Sequence, residues 1–70
     1  MYQFYFLKIR RVDTHKARDI LNNRQEHGDV DRWRFSRWDE NNVLCVFSPI
    51  VSDDYDEIKD EFRLAGIQIL

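Results

Sequence analysis

Residues 43–47, Val-Leu-Cys-Val-Phe, form an uninterrupted apolar run that constrains the possible folds more than any other part of the sequence. A polar segment, residues 39–42, precedes this run, and Ser48-Pro49 follows it. A short run that is apolar at successive positions predicts a strand covered on both faces, at the centre of a sheet. We therefore expect the rest of the chain to pack around residues 43–47.

The length and composition of the chain predict one folded domain over residues 1–70. The sequence is 43% hydrophobic and 14% aromatic, which is typical of a folded protein and not of a disordered one. A core of this size contributes only about 3–5 kcal/mol of stability unless something reinforces it. The single cysteine, Cys45, excludes an intramolecular disulfide and a four-cysteine zinc site. We expect Cys45 to be a buried small hydrophobe, and any further stability to come from oligomerisation or a bound partner.

The N-terminal segment does not have the features of a targeting sequence. Residues 1–7 are mostly apolar but lack a basic stretch before them and a small-residue cleavage site after them. Lys8 ends the apolar stretch well short of the roughly 20 residues that a membrane span needs. We therefore expect a cytoplasmic protein with no membrane contact.

The periodicity of the first half predicts a strand, a helix and a second strand. Aromatic and β-branched residues over residues 2–10 favour a strand. Asp13 or Thr14 is the expected N-cap of a helix that ends at Gly28. Residues 32–36 then alternate polar and apolar side chains, as a half-buried strand does, and Trp38 breaks the alternation by falling on the arginine side. The helix has a narrow apolar stripe formed by Ala17, Ile20 and Leu21, with Arg24 continuing its spacing.

The second half predicts a strand, a helix and a last short strand. The strand at residues 43–47 follows the turn at residues 39–42, an arrangement typical of an antiparallel hairpin. Ser52 or Asp53 is the expected N-cap of a second helix, which ends at Gly66 and leads into a strand at residues 67–70. The apolar stripe of this helix consists of Tyr55, Ile58, Phe62 and Ala65.

The resulting order, β-α-β-β-α-β, predicts an α+β fold of the ferredoxin-like type. Right-handed crossovers fold this order most simply into a four-stranded antiparallel sheet with both helices on one face. The first and third strands then occupy the middle of the sheet.

One face of such a sheet is open, and its side chains are the candidate binding residues. If Tyr5, Leu7, Ile9, Trp33 and Phe35 face the helices, the other face is aromatic and cationic. The third strand adds either Leu44 and Val46, or Val43, Cys45 and Phe47. The partner-binding residues predicted on this open face are Phe4, Phe6, Lys8, Arg10, Arg32, Arg34 and Trp38.

Two functions fit this face. The first is a non-enzymatic protein interaction module that regulates or inhibits a larger complex, as small phage-encoded inhibitors do. Exposed apolar patches usually mark interfaces, and two open faces stacked together would give a homodimer. The alternative is single-stranded RNA binding, because aromatic residues framed by arginines resemble the platform on which RNA-recognition domains stack bases. Residues 42–48 lack the basic-Gly-aromatic pattern of those domains, and the net charge of −2 disfavours general phosphate binding.

The charges are distributed unevenly along the chain. Residues 1–38 carry nine basic and five acidic side chains, whereas residues 39–70 carry two basic and eight acidic ones. The acidic groups of the second helix complement its dipole and form a second candidate surface for a basic partner. That second candidate surface consists of Asp53, Asp54, Asp56, Glu57, Asp60 and Glu61.

The sequence contains no motif for catalysis or for a cofactor. No glycine-rich phosphate loop, nucleophile motif or paired catalytic carboxylates occur, and His15 and His27 have no ligand at metal-binding spacing. The acidic segment at residues 53–57 lacks the glycine and the distal glutamate of a calcium loop. We therefore expect no enzymatic activity, no cofactor, no metal and no small-molecule substrate.

Overall fold

The protein is an α+β domain with two helices and a three-stranded antiparallel sheet. The computed structural model describes residues 3–70, so the part of the first predicted strand at Tyr2 lies outside the described residues. The elements are β1 (Tyr5–Arg10), a 3-10 turn (Arg11–Asp13), α1 (Thr14–Glu26), β2 (Val30–Arg37), β3 (Asn42–Pro49) and α2 (Asp54–Leu64).

The strand built from the apolar run, β3, is the middle of the sheet. The strand order is β1-β3-β2, and both neighbours are antiparallel to β3. Cys45 lies opposite Leu7 on one side and Phe35 on the other, so the three strands share one register. The prediction of a central strand at residues 43–47 is therefore confirmed.

Both helices pack against the same face of the sheet. Every second residue of the strands points toward them, and the apolar stripes of the two helices cover this face. Tyr5, Trp33, Phe35 and Tyr55 pack at the periphery of the core, and the ring of Tyr55 stacks on that of Tyr5 with centroids 4.7 Å apart. The buried core contains Leu7, Ile9, Ala17, Ile20, Leu21, Val30, Val43, Cys45, Phe47, Ile58, Phe62 and Ile67.

The prediction of a fourth strand at residues 67–70 is not met in full, because only one bridge forms there. Ile69 pairs with Ile9 of β1, and the N–H of Leu70 donates to the carbonyl of Lys8 at 2.8 Å. The next bonded pair of such a ladder would join Gln68 to Arg10, and no backbone hydrogen bond between them is found within residues 3–70. Ile67 instead belongs to the turn that ends α2, where its N–H donates to the carbonyl of Phe62. The sheet thus has three strands and one isolated bridge at the outer edge of β1.

The chain's two glycines end the two helices in the same way. Gly28 and Gly66 have φ values of 84° and 82°, in the left-handed region that glycine adopts without a steric penalty. After α1, the N–H groups of Gly28 and Asp29 donate to the carbonyls of Gln25 and Arg24. This paired pattern is the Schellman motif, and Gly66 and Ile67 repeat it after α2.

The two helices begin at predicted N-cap residues, but without the side-chain hydrogen bonds that N-caps usually make. Asp13 and Asp53 occupy the N-cap positions, but neither side chain bonds to its helix. The carboxylate of Asp13 instead accepts hydrogen bonds from the guanidinium of Arg10. At the start of α2, backbone carbonyls of residues 51–52 accept the N–H groups of residues 54–55.

The carboxylate of Asp39 organises the hairpin between β2 and β3. It accepts the backbone N–H groups of Asn41 and Asn42, each at 2.8 Å. These hydrogen bonds, that of Asn41 foremost, lower the pKa of Asp39 from its usual value because they stabilise the charged form. The turn at residues 39–42 is therefore held by one side chain.

Replacing Gly28 by alanine should destabilise the domain through the backbone alone. A Cβ at this position meets no atom within 4 Å, so the cost is that of a left-handed alanine, about 1 kcal/mol. Asparagine tolerates this conformation better and is the matched control. Urea unfolding should rank the proteins as wild type, Gly28→Asn, Gly28→Ala in order of falling stability. Equal stability of the alanine variant and the wild type would contradict the left-handed turn.

Candidate functional site

The open face of the sheet consists of rows of side chains that the strand register brings together. Phe6, Val46 and Arg34 form one row across β1, β3 and β2, and residues 8, 44 and 36 form the next. Residues directly opposite one another in antiparallel strands project to the same face. Since Val43, Cys45 and Phe47 belong to the core, Leu44 and Val46 are the third-strand residues on the open face.

Aromatic side chains are exposed on this face around a shallow groove. Phe6 is 57% exposed and Trp38 is 56% exposed, whereas Val46, between Phe6 and Arg34 in its row, is only 4% exposed. Val46 lies outside the core cluster and is covered from the open side. The groove above it measures about 220 Å³ and is lined by Phe4, Arg32, Trp33, Arg34 and Val46.

The cations of the open face differ in how far they are neutralised. Arg10 pairs with the buried Asp13 at 3.3 Å, and Arg32 lies 3.6 Å from Asp31. Among residues 3–70, Arg34 makes no ion pair. The charge of Arg34 beside the groove is therefore available to an incoming anionic group.

Lys8 and Trp38 form a cation–π pair on the same face. The Lys8 ammonium nitrogen lies 4.6 Å from the centre of the Trp38 ring. This contact holds an exposed indole in place at one end of the face, although Trp38 lies just beyond the end of β2. All seven predicted partner-binding residues thus lie on or beside the open face.

The rows described above contain no carboxylate, and this determines what the surface can bind. Its groups offer apolar contact, aromatic stacking and N–H donors, but no anion to attract a cation. Arginine beside an aromatic ring suits contact with carboxylates or phosphates that are flanked by flat or apolar groups. The arrangement can offer an anionic, partly apolar group both an ion pair and apolar contact.

Four of the six acidic side chains of the second candidate surface form ion pairs, two of them within α2 itself and two with α1. Asp56 lies 3.9 Å from Lys59, and Asp60 lies 3.3 Å from Arg63. Glu57 and Glu61 both contact Arg24 of α1. Asp53 and Asp54 make no ion pair within residues 3–70, and Asp54 lies in the first turn of α2, where it complements the helix dipole.

Arg24 is an important residue whose role the sequence did not indicate. Its guanidinium donates to Glu61 at 2.7 Å and to Asp29 at 3.2 Å, and thereby links α1, the following loop and α2. Burial lowers the pKa of Arg24, but the hydrogen bonds and charges of Glu61 and Asp29 outweigh this and raise the pKa overall. The Arg24 side chain is only 21% exposed, so water screens these interactions incompletely.

The two glutamates that contact Arg24 should contribute unequally to stability. Glu61 is 33% exposed and forms a short hydrogen bond, whereas Glu57 is 67% exposed and lies 3.6 Å away. Glu61→Gln should lower the free energy of unfolding by about 1 kcal/mol, and the matched Glu57→Gln by less than about 0.3 kcal/mol. Urea denaturation of both variants tests this ranking. A larger loss for Glu57→Gln would show that Arg24 is held differently.

The environment of Cys45 is that of a core residue and not of a reactive thiol. It is fully buried in the core on β3, and burial raises the pKa of its thiol to about 12. The thiolate, which is the reactive form, is therefore scarce at neutral pH in the folded protein. This position fits the predicted small hydrophobe.

A thiol-specific disulfide reagent should thus react slowly with the native protein. At about pH 8 the unfolded chain has an ordinary thiol pKa near 8.5 and should react at once in denaturant. Native protein should react only as fast as it opens, and the destabilised Gly28→Ala variant should react faster. Rapid labelling of the native wild type, followed by absorbance, would refute a buried Cys45.

Neither a metal site nor a membrane span is found in the part of the chain that the structure describes. No three His, Cys, Asp or Glu side chains come together as metal ligands there. Neither of the two helices has the length and apolar character required to cross a bilayer.

Comparison with known proteins gives no relative: no protein family model, no curated protein and no solved structure matches this chain.

Proposed function

We propose that this protein is a non-enzymatic interaction module that binds an acidic surface of another protein through its open sheet face. The observation that carries this proposal is the cationic and aromatic character of that face, with no carboxylate in its rows. In a small domain such a module acts by occupying its partner's surface, as a regulator or inhibitor of a larger complex does.

The groove beside Arg34 provides the central contact in this proposal. An apolar side chain of the partner would lie over Val46 between Phe4 and Arg34, and a carboxylate would pair with the guanidinium of Arg34. Aromatic and arginine side chains around a desolvated pocket are the groups that contribute most to protein interfaces. Phe6 and Trp38 would extend the apolar contact on the other side of the groove.

Charge favours a different protein over a second copy as the occupant of this face. Stacking two open faces would bring Lys8, Arg10, Arg32 and Arg34 of each copy toward the same cations of the other. Like charges that lose water at an interface oppose association. An acidic partner gains from the same cations, and most from Lys8 and Arg34, which make no ion pair within residues 3–70.

Single-stranded RNA is the second candidate, and the Lys8–Trp38 pair favours it. A base could stack on the exposed Trp38 ring while Lys8 and Arg34 contact phosphates. RNA binding of this kind weakens steeply with salt, because each phosphate contact releases a counterion. Titration of the protein with a single-stranded RNA oligonucleotide at low and high salt separates the two candidates, since the protein proposal predicts no saturable binding.

Selection from a displayed library of random peptides tests the protein proposal even though the partner is not identified. Peptides enriched on the wild-type protein should combine Asp or Glu with a large apolar residue. Phe6→Ser should weaken their binding by about tenfold or more, as should Arg34→Ala, because these changes remove the apolar and the ionic half of the contact. Fluorescence titration of a selected peptide measures both effects.

The matched control lies on α2. Asp56→Asn and Asp60→Asn remove two exposed acids from the other candidate surface and should leave peptide binding unchanged. Enrichment of basic peptides whose binding these two variants abolish would assign the interaction to α2 and overturn the proposal. Thermal melting of every variant confirms that loss of binding is not loss of fold.

A ferredoxin-like ancestry of the fold is part of the same proposal. The strand order β1-β3-β2 and the placement of both helices on one face support it. The bridge between Ile9 and Ile69 lies where a fourth strand would pair with β1. A ferredoxin-like domain with a reduced last strand accounts for these features.

A further inference from the structure

Strand β2 lies at an edge of the sheet, and the direction of each of its backbone groups follows from the hydrogen bonds. The N–H of Trp38 donates to the carbonyl of Asn42 at 3.3 Å, one position beyond the paired residues Arg37 and Val43. In an antiparallel ladder, bonded and non-bonded pairs alternate. Arg34 and Ser36 therefore bond to β3, and the N–H and C=O groups of residues 33, 35 and 37 point outward.

The other edge of the sheet supports this assignment independently. The N–H of Arg11 donates to the carbonyl of Asn41, which directs the backbone groups of Phe6 and Lys8 outward from β1. The carbonyls of both residues have partners there. The carbonyl of Lys8 accepts the N–H of Leu70 at 2.8 Å, and the carbonyl of Phe6 accepts the hydroxyl of Tyr55 at 3.5 Å.

The outer edge of β2 has no such cover. Within residues 3–70, no group bonds to the outward N–H and C=O groups of Trp33, Phe35 and Arg37. The side chain of Gln25 binds the carbonyl of Asp31 at 3.0 Å and marks the end of the uncovered stretch. An uncovered edge strand of this length is a template for pairing with another strand.

We propose that β2 pairs antiparallel with β2 of a second copy of this chain, about a twofold axis at Phe35, to form a continuous six-stranded sheet. In this register Phe35 lies opposite Phe35 of the second copy, and Trp33 lies opposite its Arg37. This twofold register pairs each of the three outward residues, 33, 35 and 37, with an outward residue of the second copy. Each of the three pairs exchanges two backbone hydrogen bonds.

The same register keeps the arginines of β2 apart from directly opposing cations. Arg34 lies opposite Ser36 of the second copy, Arg32 opposite its Trp38, and Arg37 opposite its Trp33. Arginine beside tryptophan is a favourable cation–π contact. A register centred one residue earlier would place Arg34 directly opposite itself, which is destabilising. The side-chain pattern of β2 thus selects the register that its backbone groups permit.

Pairing of this kind would leave the open faces of the two copies on the same side of one sheet. Residues opposite one another in an antiparallel pair project to the same face, so the twofold axis runs perpendicular to the sheet. The edge inference does not depend on what the open face binds. A Phe6→Ser variant that loses its peptide ligand should still dimerise.

Amide hydrogen exchange on the wild-type protein, alongside sedimentation equilibrium, tests this inference. Between about 1 µM and about 1 mM the mass should rise from monomer to dimer. Over the same range the amides of Trp33, Phe35 and Arg37 should slow by at least about tenfold. The amides of Arg34 and Ser36 already bond within the monomer and should slow much less than those of residues 33, 35 and 37, which makes them the internal control.

Arg37→Pro is the decisive variant, with Arg37→Ala as its control. Proline removes an outward N–H that β3 does not use, and edge strands tolerate it there. It should raise the dimer dissociation constant at least about tenfold more than alanine does, because alanine keeps the N–H group. Circular dichroism checks that the proline variant folds. The hydrogen-exchange experiment uses the wild-type protein and does not depend on this variant.

Two results would overturn the inference. The first is a protein that remains a monomer at about 1 mM with fast-exchanging amides at residues 33, 35 and 37. The second is a dimer in which these three amides stay unprotected, since its contact then lies elsewhere. Salt distinguishes this contact from an ionic one, because raising NaCl to about 0.5 M should not weaken backbone pairing. The guanidinium of Arg18 lies 5.9 Å from the Phe35 ring, and salt should reduce the repulsion between the Arg18 side chains of the two copies.

Discussion

Side-chain alternation along the central strand β3 is the constraint on which the other features of this domain depend. Val43, Cys45 and Phe47 point into the helix-covered core, and Leu44 and Val46 point to the opposite face. Because both neighbouring strands pair with β3 in a fixed register, these five residues also determine the faces of β1 and β2. A one-residue shift in pairing would bury the arginines of β2 and expose its aromatic residues, at a large cost in free energy.

The charges are separated in space as well as in sequence. The open sheet face is cationic, whereas the acidic side chains of α2 lie on the helix-covered side of the domain and are only partly compensated by Arg24, Lys59 and Arg63. A net charge of −2 therefore conceals a dipolar molecule. Electrostatic steering depends on this distribution more than on the total, and it would orient an acidic partner toward the sheet.

The sequence was sufficient to predict the order of the first five helices and strands, the helix ends at the glycines and the alternation of side chains along β1 and β2. These features depend on local periodicity and backbone conformation. The sequence could not decide which of the two alternating sets of β3 side chains faces the helices, because both sets are apolar. The choice is settled by strand pairing, which places Cys45 opposite Leu7 and Phe35 on the helix-covered face. Strand pairing is a tertiary contact that local sequence does not determine.

The remaining differences have the same origin. The last strand was overestimated because Ile67 fits a strand by composition, while its N–H is used in the terminal turn of α2. Arg24 looked like a polar interruption of an apolar stripe, because its partner Glu61 is 37 positions away in sequence. The predicted N-cap residues Asp13 and Asp53 are in place, but their side chains do not bond to the helices, because Arg10 engages the carboxylate of Asp13 and backbone carbonyls accept the first N–H groups of α2. Contacts distant in sequence decide each of these cases.

The hydrogen bond from the hydroxyl of Tyr55 to the carbonyl of Phe6 bears on how many copies of the domain can join through their sheet edges. Together with the bond from Leu70 to Lys8, it occupies outward carbonyls of β1, so that the two edges of the sheet are unequal. A strand added at β2 meets an open edge, but the far side of the enlarged sheet is again a protected β1. Once two copies have paired at β2, further growth would have to use the partly covered edges of β1, which would oppose the indefinite stacking that produces fibrils.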